Sequence, residues 1–235
     1  MMTAPTPPSS SAGGPLAGEW VERWLSVPRF SVYLAAADAD RGRALALYEW
    51  NTQISAALLH DLAHVEVGLR NAYDRALSDR WPGPPHWTLA GDTVFAPVYR
   101  TRGRRRVDVN ERPRDNLRQA IGNAGGPAAR PGKVVAELMF GFWRYLSSAA
   151  HEKTLWVPAL HRAFPRGTDR AAHVDGPVGR LHDLRNRVAH HEPLLTTDVA
   201  GRFADLLGLA SRLEPRLGQH LQVTSNVSRL LTTRP

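Results

Sequence analysis

Apolar residues recur every three or four positions through the first half of the chain: Leu47, Trp50, Ile54, Leu58, Leu62, Val65, Leu69, Ala72 and Ala76. Residues 41–79 contain no proline, and their only glycines are Gly42 and Gly68. A stripe of that period is the apolar face of a helix. The pattern predicts one long helix as the spine of the fold, with Gly68 the position for a bend. Upstream, Trp20, Trp24 and Leu25 fit one face of a short helix. Ser26, two before Pro28, is a start signal for another, along which Phe30, Tyr33 and Leu34 keep helical spacing. The segment 81–87 (WPGPPHW) breaks the spine.

Beyond the break, 88–115 reads as irregular, with Asp115 capping a helix through Gln119 and Ile121. The segment 122–132 (GNAGGPAARPG) reads as a loop. It is no phosphate loop, because Gly126 lies one residue too far from Gly132 and Lys133. Val134 also stands where a magnesium-binding Ser or Thr is required. A helix is predicted over 134–149, then a short apolar segment over 155–164. Thr168 caps a helix through Val174, which Gly176 and Pro177 interrupt and which resumes from Val178 to about His191. Pro193 disfavours helical geometry at Glu192 and marks the end. Thr197 caps a final amphipathic helix over 198–213, closed by Pro215, and a terminal segment carries Leu217, Leu221, Leu230 and Leu231. No alternating strand pattern and no internal repeat is visible. The expectation is an all-α helical bundle.

Composition narrows the class. Residues 1–17 are rich in Pro, Ser, Gly and Ala and predict a disordered tail. Residues 18–235 are long enough for one domain with a full core. The formal charge is +8 and the pI about 10.7. Nearly all of the basic residues are arginine, with lysine only at Lys133 and Lys153. That balance favours anionic partners, nucleic acid first and an anionic membrane second. A GC-rich coding bias enriches Arg, Ala, Gly and Pro together and accounts for the same composition without a ligand. With no cysteine, disulfides, thiolate metal sites and a cysteine nucleophile are excluded. The N-terminus lacks a basic segment followed by an apolar one, and no run approaches 18 apolar residues. A soluble, cytoplasmic protein without membrane spans is expected.

The densest chemistry lies at 181–195, LHDLRNRVAHHEPLL. Asn186 and His190 are four apart and share a helical face; Arg187 and His191 form the adjacent pair. Arg185 is five before His190, about 140° around a helical wheel, so a regular helix does not bring those two together. Arginine's length, the helix end at Pro193, or a symmetric second copy are three ways to close that gap. Histidine can move protons near neutral pH, and arginine can stabilise a phosphorane. A metal-free Arg/His site would therefore suit RNA cleavage through the 2′-hydroxyl. The bland alternative is a solvated helix end whose basic residues suit the helix dipole, and Arg187 fits that reading well.

RNRVAH, from Arg185 to His190, fits the R-x(4–6)-H signature of HEPN domains. RNRVAHHEPLL more specifically resembles the end of the Abi-like (abortive-infection) family of that superfamily. The segments PRFSVYL (28–34), LYEWNTQIS (47–55), HVEVGLRNA (64–72) and FGFWRYL (140–146) extend the resemblance over most of the chain. The resemblance implies a HEPN-type bundle with additional N-terminal and C-terminal helices. It also implies a metal-independent endoribonuclease without cofactor, whose composite site is built by two protomers. Carried onto this chain, the site comprises Arg185, Asn186 and His190. His191 also meets the spacing, and His190 is preferred because it shares a face with Asn186. RNA as substrate, a homodimer, an antitoxin partner and a role in antiphage defence or as a toxin are further implications. The alternatives are a non-catalytic RNA-binding or regulatory module, and a scaffold whose polar helix end only holds a dimer.

Other residues complete the candidate set. Arg102, Arg104, Arg105 and Arg106 form a basic cluster suited to RNA backbone contacts, with Arg187 beside the motif. Glu66 and Arg70 are spaced for an ion pair within the long helix and read as supporting residues. His60 and His64 have metal-ligand spacing, but the HExxH glutamate and a third ligand are missing, so a polar face is the expectation. FGFWRYL is expected in the core.

Overall fold

A computed structural model describes residues 18–235, with the side chain of Arg102 outside the description; the tail expected over 1–17 also lies outside the described residues. The fold is all-α, as the periodicity predicts. Helices α1 (Trp20–Leu25) and α2 (Val27–Ala36) lead into α3 (Arg41–Arg80), which runs 40 residues without interruption. At 1.5 Å per residue that is about 60 Å. The Asp40 carboxylate caps α3 by accepting from the Arg43 N–H at 2.9 Å. Gly68 marks no break. It is where the side chains of Leu213 and Leu217 close onto the helix, and a Cβ there would lie 3.3 Å from Leu217.

The predicted stripe of α3 is buried in full from Leu47 to Ala76. Around it pack α7 (Phe140–Leu146), α8 (Gly176–Ala189), α9 (Val199–Leu213) and α11 (Val227–Thr232). The Trp50 indole donates to the Leu230 carbonyl at 2.7 Å and ties the C-terminal helix to the spine. A smaller apolar cluster joins α1, α2 and the start of α3 through Val21, Leu25, Phe30, Tyr33 and Leu47. In α1 it is Val21 and Leu25 that face inward. Trp20 and Trp24 point outward and stack on each other, so these tryptophans do not share the face of Leu25.

Several boundaries differ from expectation. The 88–115 segment is not irregular throughout: a short α4 (Gly91–Val94) precedes an antiparallel hairpin of β1 (Tyr99–Arg102) and β2 (Arg105–Asp108). Gly103, at φ 61°, makes its two-residue turn. Four-residue strands made largely of arginine have no apolar alternation for a pattern search to find. Helix α5 (Glu111–Ala124) starts before Asp115 and extends into the presumed loop, stopping where Gly125 adopts φ 114°. The helix expected over 134–149 is two, α6 (Pro131–Glu137) and α7, because Leu138 and Met139 are extended. Gly176 and Pro177 do not interrupt the helix: a π turn over Ala171–Asp175 runs directly into α8, with Asp175 and Gly176 both helical, and Pro177 is accommodated just after it. Asp198, not Thr197, caps α9, and the terminal segment forms α10 (Pro215–Thr224) and α11.

Candidate active site at the end of α8

The apolar residues of α8, Val178, Leu181, Leu184 and Val188, are buried against α3 and α9. That fixes the helix in rotation. Arg185 and Asn186 then lie half-buried on one flank, while Arg187 is exposed. Arg185 and Asn186 line a pocket of about 240 Å³ with His182, with Arg112 and Asn116 of α5, and with the 139–142 turn. No carboxylate belongs to that lining. His182 Nε2 lies 3.4 Å from the Asn186 amide nitrogen, and its ring meets Phe140 edge-on. Gly141 permits this approach, since a Cβ there would fall 3.2 Å from His182 Nε2. Burial holds the His182 imidazole below the usual histidine range; Asp183 opposes the shift, and Arg144 and Arg185 add to it.

His182 was not among the residues singled out from the sequence. It stands four before Asn186, as His190 stands four after. Spacing alone offered Asn186 two histidines on its face, and the tertiary structure pairs it with the upstream one.

The histidines at the other end of the motif take separate positions. Helix α8 ends at Ala189, three residues before Glu192, in a Schellman turn rather than at the proline. The His191 N–H donates to Val188 O at 3.1 Å and the Glu192 N–H to Arg187 O at 2.9 Å. His191 occupies the left-handed position, at φ 55°, where glycine is usual. His190 is the C-cap residue and is exposed. Its backbone N–H donates to Asn186 O at 3.0 Å, but the residue does not line the Arg185 pocket. His191 leaves the face of Arg187, whose guanidinium instead pairs with Glu192 at 3.2 Å. The imidazole of His191 lines a second cavity of about 460 Å³, which shares no residue with the first.

Three of the sequence segments meet at this turn. Asn51, buried in α3, accepts from the Leu194 N–H at 2.7 Å and donates to Glu192 O at 3.5 Å. Arg29 of α2 donates to His191 O at 3.1 Å. The helix end is therefore held on both sides by side chains from LYEWNTQIS and PRFSVYL.

The remaining candidates lie elsewhere. Arg104, Arg105 and Arg106 are exposed on the β1–β2 hairpin and line neither pocket; Arg106 lies over the Tyr99 ring at 4.5 Å. Of Arg102, only its backbone pairing with Arg105 is described. Glu66 and Arg70 form no ion pair, contrary to their spacing: Arg70 Nε is buried without a partner, and neither residue lines the Arg185 pocket. One helical turn permits that pair, but side-chain direction decides it. His60 and His64 meet edge to face at 4.9 Å, and His220 of α10 joins them at 5.7 Å from His64. No group of three metal-ligating side chains among the described residues is placed to hold an ion. Phe140, Phe142 and Trp143 are core, as expected. No described helix is long and apolar enough to cross a membrane.

No protein-family model, curated protein or solved structure matches this chain.

Proposed function

We propose that the chain is a metal-independent endoribonuclease of HEPN, Abi-like type, acting as a homodimer on RNA in antiphage defence or as a toxin held in check by an antitoxin. The observation that carries the chemical part is the pocket in which Arg185, Arg112, Asn186 and His182 converge with no carboxylate in the lining. Two guanidinium groups suit a phosphodiester, whose charge grows as a phosphorane forms. In the proposed reaction the ribose 2′-oxygen attacks phosphorus, its proton passes to a histidine, and the 5′-oxygen leaves with a proton from an acid. The products are a 2′,3′-cyclic phosphate and a 5′-hydroxyl. DNA has no 2′-hydroxyl and is not cut by this route.

Within one copy, Arg185 and His190 do not line a common pocket. The exposed helix end leaves His190 available to a second copy, so Arg185 of one protomer would act with His190 of the other. The same separation favours a second reading, a non-catalytic RNA-binding module, if no dimer forms.

Complementation tests the composite site. RNA should be cut in EDTA by the wild type and by neither Arg185→Ala nor His190→Ala alone. Mixed and refolded together, the two variants should recover about a quarter of wild-type activity, because half the dimers are mixed and each carries one intact site of two. No recovery would reject the composite arrangement. Cleavage surviving in both single variants would reject the site itself. RNA binding without cleavage by wild type would establish the module reading.

A further inference from the structure

We propose that the cleft between α2, α3 and the C-terminal turn of α8, with the exposed Trp20–Trp24 pair at its rim, is the docking surface for the chain's own proline segment, residues 5–8 (PTPP). The surface is aromatic. Trp24 stacks on Trp20 with centroids 5.9 Å apart and planes 13° apart. The two indoles are 53% and 41% exposed, unlike the core tryptophans Trp87 and Trp143. Tyr48 meets Trp24 edge-on at 5.2 Å and Tyr33 at 5.4 Å, and it also lines the cleft. Val27, which opens α2, is exposed as well. Grooves lined with such rings take proline-rich segments in the polyproline II form.

The spare hydrogen-bonding groups of the cleft are donors. The Ser55 hydroxyl is buried, the residue being 8% exposed, and has no hydrogen-bond partner although it lines the cleft of about 460 Å³. A buried hydroxyl left unpaired is costly, and a ligand carrying an acceptor would satisfy it. Among the described residues Arg29 donates only to His191 O, and a guanidinium has further N–H groups to give. No carboxylate of the lining competes for these donors. The complement is an uncharged strand of acceptors. Proline has no N–H, so in the 5–8 segment only Thr6 keeps an amide donor while every residue keeps its carbonyl. In polyproline II those carbonyls make no internal hydrogen bonds.

The position of the segment in the chain argues for this occupant. The ten residues from Pro8 to Gly18 span at most about 35 Å. Helix α1 adds only about 9 Å from Trp20 to Leu25, so the segment reaches the indoles and the cleft beside them. A tether of that length holds the segment at a local concentration in the millimolar range, enough for a weak contact to persist. Residues 1–17 carry no charged side chain, so the basic surface does not repel them. With His191 in its lining, the occupied cleft closes one side of the turn that carries His190. The inference does not rest on the endoribonuclease reading.

The test uses the full chain labelled with nitrogen-15, and the peptide 3–10 (TAPTPPSS). The heteronuclear NOE values of the Thr6 and Ser9 amides should match those of α1 and stay unchanged on dilution. Trp24→Ala, at an exposed position, should lower them to the values of the isolated peptide. The peptide should bind the full chain carrying Pro5→Ala, Pro7→Ala and Pro8→Ala, and bind wild type at least about tenfold more weakly, because the resident segment occupies the cleft. Ser55→Ala added to that variant should weaken the peptide about fivefold, the effect of one lost hydrogen bond. Thr6 and Ser9 amides as mobile as in the peptide, or order that survives Trp24→Ala, would overturn the docking. So would a peptide that fails to bind the triple variant, binds wild type equally well, or ignores Ser55→Ala. Order lost on dilution would overturn the intrachain placement and give the cleft to the segment of a second copy. None of these readouts depends on RNA cleavage, so the failure of either reading leaves the other standing.

Discussion

The side-chain oxygen of Asn51 accepts the backbone N–H of Leu194 at 2.7 Å, across 143 residues of sequence. Asn51 is 3% exposed and its amide nitrogen reaches Glu192 O as well, so one amide holds both sides of the loop that follows α8. Asn51→Ala leaves the buried Leu194 N–H without an acceptor. Chemical denaturation should show a loss of about 2 kcal/mol. Asn51→Asp keeps the acceptor but buries a charge and turns a carboxylate oxygen toward Glu192 O, so it should be no more stable than Asn51→Ala. A loss well under about 1 kcal/mol for Asn51→Ala would mean that the Leu194 bond is not what the residue supplies.

His191 carries a left-handed backbone at a position where glycine is unstrained. His191→Gly should raise stability by about 0.5–1 kcal/mol, a rise of a few degrees in Tm for a domain of this size. A β-branched substitute, His191→Val, should lower it. If glycine destabilises instead, the imidazole makes contacts in the cleft that outweigh the backbone strain.

His151 is fully buried, with Nε2 2.8 Å from Asn110 Oδ1 and Nδ1 3.2 Å from Tyr145 O. Burial pushes its pKa down to about 4, against the Tyr145 carbonyl, which favours the charged ring. The unfolded chain takes up this proton near pH 6.5, whereas the folded chain resists until about 4. Stability is therefore complete above pH 6.5, declines as pH falls, and is reduced by about 3 kcal/mol once the folded pKa is passed. His151→Gln should flatten the stability profile between those limits. An unchanged profile would place the acid sensitivity elsewhere.

Arg185 and His182 make different contributions to the same pocket under the proposed function. Arg185→Ala should lower the cleavage rate about 100-fold or more, the typical effect of removing a preorganised donor to a charged transition state. Arg185→Lys should recover little, because a point charge lacks the fork. His182→Ala, which frees Asn186 of its neighbour, should cost about tenfold and leave the dependence on His190 intact. A large loss at His182 with none at His190 would make His182 the proton-transfer residue and remove the need for a second copy.

What the amino-acid sequence determined by itself is the helical architecture and its inward face. The spine from Leu47 to Ala76 is buried as its period requires, because apolar residues repeating every 3.6 positions leave a helix one way to hide them. Tertiary structure alone decided which polar residues meet. The Arg185–His191 segment looks like one site in one dimension. The rotation of α8 against α3 sends Arg185 and Asn186 to a pocket with His182, and the Schellman turn sends His191 to another with Arg29 and Ser55. The hairpin at 99–108 and the break at Leu138 were likewise hidden, since neither short arginine-rich strands nor a two-residue extension leaves a periodic trace. Helical spacing states which residues are close along one element. Contacts between elements depend on packing angles and side-chain directions, which are set by the whole core at once.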